Sequence, residues 1–212
     1  QMVTINTAEC FGLAAELGSI TPSKCADMVL ISDLEKCVVD EVFIDGELVA
    51  EKGKALFERG KYSYPEEYRH SVNLDKIDES ALKIAAEGTV KAHVIEVIPA
   101  KTSTVDKTVE MTAVNGELKA DPARDIMKAC VFEQHHRTGN VGKGFISGFG
   151  IKDGALAQTV AHDAHNLLVV GTNDSDMAIA VNTLIDCGGG LVAVKDGKIL
   201  GLVELPVAGL MN

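Results

Sequence analysis

Within five positions the chain gathers two imidazoles, a carboxylate and an amide: His162, Asp163, His165 and Asn166, directly before the apolar run Leu167-Leu-Val-Val170. Burying such groups without partners costs roughly 1–3 kcal/mol each. Solvent, one another, a metal or a substrate must therefore hold them. Three chemistries suit the set. Imidazole and carboxylate ligands accommodate zinc, manganese or iron. A histidine beside a carboxylate can work as a general acid or base near neutral pH. The same side chains can also cap the backbone of a polar turn. The residues alone leave all three open.

A second polar group, His135-His136-Arg137-Thr138, stands at an expected strand end. Two imidazoles and a guanidinium there suit an anion, or a meeting with the first cluster in space; the plainer reading is a solvent-facing terminus. It precedes Gly139–Gly154, where glycines stand at 139, 142, 144, 148, 150 and 154. Neither Gly-x-x-x-x-Gly-Lys-Ser/Thr nor Gly-x-Gly-x-x-Gly in a strand-loop-helix setting is present, so a phosphate loop is excluded. The stretch reads as too flexible for a packed element. Its functional reading is a lid built on Gly144, Phe145, Gly148 and Phe149. His70 and His93 read as surface or packing residues.

These groups need elements to position them. Asn6–Leu17 reads as a helix stopped by Gly18, and Met28–Ile31 as a short buried strand. Val38–Ile44 and Glu47–Ala50 form a hairpin across Asp45-Gly46. Residues 60–75 read as a linker or an arm across another surface, and Asp78–Ala86 as a short helix capped by Asp78. Val90–Pro99 and Thr108–Val114 alternate as strands, the second ending at Asn115-Gly116. Asp121-Pro122 opens a helical turn, and Ile126–Glu133 reads as a strand. Ala155–Ala161 and Leu167–Val170 are strands on either side of the His/Asp cluster. A helix runs from an Asn173 or Asp174 cap to Cys187, with an apolar stripe at Met177, Ala180, Val181, Leu184 and Ile185. Gly188-Gly-Gly190 stops it, and Leu191–Glu204 is a final hairpin across Asp196-Gly197. The fold class is α+β: a helix with a small β-domain over 1–60, a linker over 61–88, and an α+β domain of mostly antiparallel strands over 89–212.

Composition narrows the rest. The 212 residues suit one or two domains, and with 46% hydrophobic but only 4% aromatic residues the core must be Ala, Val, Ile and Leu. A net charge of −11 without a Lys/Arg-rich run argues against a nucleic-acid partner. No apolar stretch approaches the ~20 residues that span a bilayer, which argues against a membrane span. Cys10, Cys25, Cys37, Cys130 and Cys187 are odd in number and widely spaced, as expected of reduced thiols in a cytoplasmic protein. Gln1 before Met2, and a first helix without lead-in, fit a piece of a longer polypeptide.

Longer motifs add a resemblance. Asn6-Thr-Ala-Glu-Cys-Phe-Gly-Leu13 and Gly18-Ser-Ile-Thr-Pro-Ser-Lys-Cys-Ala-Asp-Met-Val-Leu30 resemble the end of amidohydrolase-superfamily enzymes, where a last barrel helix leads into a small β-domain. Ser23 stands where glycine is usual. His135–Gly150, Thr159–Asn166, Val169-Val-Gly-Thr-Asn-Asp174 and Leu205-Pro-Val-Ala-Gly-Leu-Met211 look like the C-terminal part of bacterial adenine deaminases of that superfamily. The resemblance implies hydrolysis of adenine to hypoxanthine and ammonia at a divalent manganese or iron centre in a (β/α)8 barrel. That barrel needs roughly 200–250 residues of strand-helix units, and neither these nor a His-x-His pair is in this sequence. The metal is thus expected on an N-terminal barrel domain of the same protein, with no ligands here, and this chain alone is expected to be inactive. His162, Asp163 and His165 become candidate catalytic or substrate-contacting residues, and Asn166, His135, His136 and Arg137 candidate substrate-binding residues. Two rival roles remain: an assembly module making homo-oligomer contacts, and an independent metallohydrolase using His135, His136, His162 and His165.

Overall fold

Three Asx-Gly pairs set the frame of the chain, because type I′ turns require positive φ at both central positions. Asp45-Gly46, Asn115-Gly116 and Asp196-Gly197 all adopt it, with φ of 50 and 82, 54 and 80, and 51 and 72°. A computed structural model describes residues 1–58, 60, 62–69 and 71–212; His70 lies outside the described residues. The chain divides into two compact units, Gln1–Tyr62 and Ser63–Asn212.

The first unit opens with helix α1 (Ile5–Cys10). The expected helix to Leu17 is cut short because Gly12 takes φ +72° and the Leu13 amide donates back to the Ala8 carbonyl, closing the helix end. Strands β1 (Met28–Asp33), β2 (Val38–Ile44), β3 (Glu47–Glu51) and β4 (Lys54–Ala55) form an antiparallel sheet in that order. The expected burial of β1 is not found: Val29, Leu30 and Ile31 are exposed. Ser23 has φ +71°, which accounts for glycine being the usual residue of that motif position.

The second unit begins with helix α2 (Glu66–Arg69) and an arm that docks by hydrogen bonds. The Asn73 amide donates to the Gln134 carbonyl, Asn182 brackets the Ile77 backbone from both sides, and Leu74 and Ile77 pack on the core. The helix expected at Asp78–Ala86 is only a 3-10 turn, Glu79–Leu82, capped by Asp78 through the Ser80 amide. It stops because β5 (Ile84–Ala85) pairs with β8 (Glu117–Leu118).

The main sheet holds β6 (Thr89–Val97), β7 (Thr104–Thr112), β9 (Met127–Phe132), β10 (Val141–Ser147), β11 (Ala155–Gln158), β12 (Leu167–Gly171), β13 (Gly190–Lys195) and β14 (Lys198–Glu204). Their order is β14-β13-β11-β12-β9-β10-β6-β7, antiparallel except for β10 against β6. β10 corrects the expectation that Gly139–Gly154 could not pack. It pairs on both edges, so ladder bonds replace the order its glycines fail to supply.

Helix α3 (Asp174–Cys187), capped by the Asn173 side chain at the Asp176 amide, covers one face of the sheet. Met177, Ala180, Val181 and Leu184 are fully buried against the row Cys130–Val169–Ala157–Val192–Leu202. Alternate positions point the other way. Their first row is Ala129–Val170–Leu156–Ala193–Gly201 and their second is Val131–Leu168–Gln158–Leu191–Val203.

Candidate functional site

Strand pairing builds the site. β9 and β12 run antiparallel with Phe132 opposite Leu167. The segment leaving β9, Glu133–Thr138, therefore meets the segment leading into β12, Thr159–Asn166. The two polar groups of the sequence converge at this edge.

Their contacts are specific. Gln134, 1% exposed, donates its Nε2 to the His165 carbonyl at 2.5 Å. His135 Nε2 donates to the Ala164 carbonyl at 2.8 Å, and Asn166 Oδ1 accepts from the Gln134 amide at 3.4 Å. The His165 amide donates to Ala161 at 2.8 Å, and its Nδ1 to the Val160 carbonyl at 3.4 Å. Thr159, fully buried, accepts from the Gly190 amide at 2.8 Å and donates to the Gly209 carbonyl at 2.6 Å. His165 and Asn166 are thus half-buried and bound to backbone, while His162 and Asp163 are exposed and make no hydrogen bond among the described residues. Asp163 and His165 hold φ of +82 and +47°, sparsely populated conformations that cluster at functional loops.

On the opposite segment Glu133 organises the backbone. Its Oε1 accepts from the His135 and His136 amides at 2.6 and 2.9 Å, and its Oε2 from the Thr138 amide and hydroxyl at 3.2 and 2.9 Å. Loss of hydration pushes this carboxyl up, but the amides of His136, Thr138 and His135 together with the Thr138 hydroxyl outweigh it, and its pKa falls from 4.5 to about 2. A carboxyl depressed in the folded state stabilises above its unfolded value and loses that contribution as pH falls through the folded one. Protection of the His135, His136 and Thr138 amides, taken relative to the intrinsic exchange rate at each pH, should therefore fall, beyond global unfolding, as pH drops from about 4.5 to about 2. Glu133→Gln should show the reduced protection already at neutral pH. Equal protection in both proteins would remove Glu133 from this role.

Other candidates lie elsewhere or are engaged. Arg137 is ion-paired to Asp75, and His136 is exposed. Gly144 and Phe145 belong to β10, and Phe145, 4% exposed, is packed with Val94, Met111, Leu118 and Ile126. Gly148 and Phe149 follow in a turn, where Asp125 accepts from the Gly148 and Gly150 amides at 2.7 and 2.8 Å. Among the described residues, no three His, Cys, Asp or Glu side chains form a group that could hold a metal ion. A cleft of about 490 Å³ lies on the outer sheet face, lined by Leu156, Leu191 and Val203 among others, and includes none of these histidines.

Gln134, Thr159 and Glu133 were not singled out from sequence. Gln134 had one signal: a long amide two residues after the buried Phe132, on the same side by strand alternation. A buried ion pair was also missed, Lys128 Nζ to Asp174 Oδ1 at 2.6 Å, with side-chain exposures of 2 and 12%.

Known proteins match along the whole chain. Residues 101–212 match the adenine deaminase C-terminal domain, and residues 1–49 the amidohydrolase family. An adenine deaminase of Clostridium botulinum (strain Loch Maree / Type A3) is 56% identical over 100% of this chain and 36% of its own length. That of Moorella thermoacetica is 47% identical over 100% of the chain and 36% of its own length. That of Dehalococcoides mccartyi is 43% identical over 100% of the chain and 37% of its own length. The chain spans just over a third of the length of these curated relatives. With more than half of its residues inside that C-terminal domain match, the chain belongs to the adenine deaminase C-terminal domain family.

Proposed function

We propose that this chain is the C-terminal part of an adenine deaminase, which hydrolyses adenine to hypoxanthine and ammonia. The observation that carries the reading is 43–56% identity, along its whole length, to proteins named adenine deaminase. The catalytic divalent metal, manganese or iron by resemblance, is assigned to the barrel domain of the longer protein. The chain's own part is a rigid, hydrogen-bonded loop edge presenting His162 and Asp163 toward the barrel mouth. His165 and Asn166 hold that edge in place, and the Gly148-Phe149 turn is the remaining candidate for a cover. Free cysteines, three of them exposed, fit a cytoplasmic setting.

Two substitutions in the full-length enzyme test the reading. Asp163→Ala and His165→Ala should each lower kcat/KM for adenine by about 10²-fold or more, as loss of an acid–base or positioning group does, with bound metal unchanged. If both keep wild-type kcat/KM, the edge is structural only. The purified chain alone should form no hypoxanthine; product formation would overturn the division of labour.

A further inference from the structure

Where β10 runs parallel to β6, the main sheet carries a cleft with apolar walls and a charged rim. Ser147 of β10 lies opposite Glu96 of β6, and Val94 lies opposite Lys107 of β7. Strand alternation sets these side chains, with Val109, on one face. The helical turn Pro122–Arg124 and Asp125, at φ +56°, bring Arg124–Ile126 to the rim. Together they enclose about 380 Å³, within the roughly 300–1,000 Å³ of small-molecule sites. The Ser147 side chain is the feature without a use. It lines the cleft at 7% exposure, and its hydroxyl has no hydrogen-bond partner among the described residues. A buried hydroxyl left so costs about 1–3 kcal/mol.

We propose that this cleft binds a neutral purine base through its amide or amidine edge. The charges of the rim are already matched. Lys107 Nζ donates to Glu96 Oε1 at 2.5 Å, Arg124 Nε donates to Asp121 Oδ2 at 2.6 Å, and Asp125 accepts the Gly148 and Gly150 amides. A charged ligand would have to compete with these pairs, whereas a neutral one leaves them in place. The same rim argues against a polypeptide cover, since the buried centre of a protein interface is depleted of Lys, Glu and Asp. One donor–acceptor set stays open. The Ser147 hydroxyl donates or accepts, and each Asp125 oxygen keeps a second lone pair for a ligand N–H. Arg124 uses Nε and, toward the Glu110 carbonyl at 3.0 Å, Nη1, which leaves Nη2 to donate to a ligand acceptor. Val94, Val109 and Ile126 supply apolar walls for the faces of a ring. Adenine and hypoxanthine each present a donor beside an acceptor on the ring edge where they differ. The choice of a purine rests on the adenine deaminase reading; the cleft itself does not, and none of its lining residues belongs to the His162–Asn166 edge.

Titration of the isotope-labelled chain with hypoxanthine, and separately with adenine, tests the site through amide chemical shifts. Saturable shifts are expected around residues 94–96, 107–109, 124–126 and 147–148, with a Kd of about 1 mM or tighter. Unsubstituted purine lacks the exocyclic group and should bind at least about tenfold more weakly. Ser147→Ala removes only the buried hydroxyl and should weaken hypoxanthine binding about tenfold. Val109→Phe fills the cleft and should abolish binding. Circular dichroism checks that each variant is folded; should Val109→Phe unfold, Ser147→Ala decides. No saturable shift, shifts that map elsewhere, or folded variants that bind as the parent does overturn the proposal, and the cleft then holds only water. Binding by the chain while the full-length protein leaves adenine untouched would strike the deaminase reading and spare the cleft. Hydrolysis by the full-length protein without binding here would do the reverse.

Discussion

Asp174→Ala should destabilise the second unit by about 3–5 kcal/mol, among the largest effects of any exchange of a polar side chain in this chain. Lys128 projects from β9 on the face that α3 covers, and its side chain is 2% exposed. Its ammonium reaches Asp174 Oδ1 at 2.6 Å, at the first residue of α3. The neighbourhood is poorly hydrated: burial pushes the nearby Cys130 thiol up to about 11, although the Lys128 and Lys143 charges pull it down. Removing the carboxylate leaves a buried cation without its counter-charge, and the cost of desolvating that ion is no longer offset. Adding Lys128→Met to Asp174→Ala should recover most of the loss, because the remaining groups are apolar and of similar length. Urea unfolding of the single and double variants measures both. A single variant within 1 kcal/mol of the parent would mean that Lys128 reaches water or another acceptor, and the pair would lose this role.

The same pair shows where sequence reading stops. Lys128 and Asp174 are 46 residues apart, and nothing local marks either as buried. Local signals did carry far: the Asn173 cap, the stripe of α3 and the three Asx-Gly turns depend on neighbours within four residues, and each stands where it was read. Errors arose where a local pattern competed with another. Leu13-Ala-Ala-Glu-Leu17 continues helical composition past Gly12, yet Gly12 had already turned the chain. The glycines of β10 suggest flexibility, and only strands β9 and β6, far away in sequence, order them. The site followed the same division. Its two polar segments were legible as residue types, but their meeting depends on β9 lying beside β12, a non-local pairing. Gln134 and Thr159, which join them, carry no charge and no motif.

Gly190→Ala should remove about 4 kcal/mol or more, enough to unfold a marginal domain. Glycines 188–190 read simply as a helix stop, and Gly188, at φ +80°, is that stop. Gly190 does something else. It holds φ +146°, which side-chain-bearing residues do not adopt, and a Cβ there would sit inside contact distance of the Val203 carbonyl oxygen. Backbone on β14 cannot move aside without breaking the β13–β14 ladder. The clash would also reach the candidate site. Gly190 donates its amide to Thr159 Oγ1 at 2.8 Å, and its carbonyl accepts the Thr159 amide at 3.0 Å. Thr159 opens the segment that ends in His162–Asn166, so displacing Gly190 frees that segment at its root. Gly144→Ala is the matched control: an added Cβ there meets nothing within 4 Å, and replacing a strand glycine should cost nothing or stabilise by about 0.5–1 kcal/mol. Denaturant midpoints compare the two, and amide exchange at 160–166 reports the loop. If Gly190→Ala folds with stability within 1 kcal/mol of the parent and normal protection at 160–166, the close approach of β13 to β14 is not what anchors the His162–Asn166 edge.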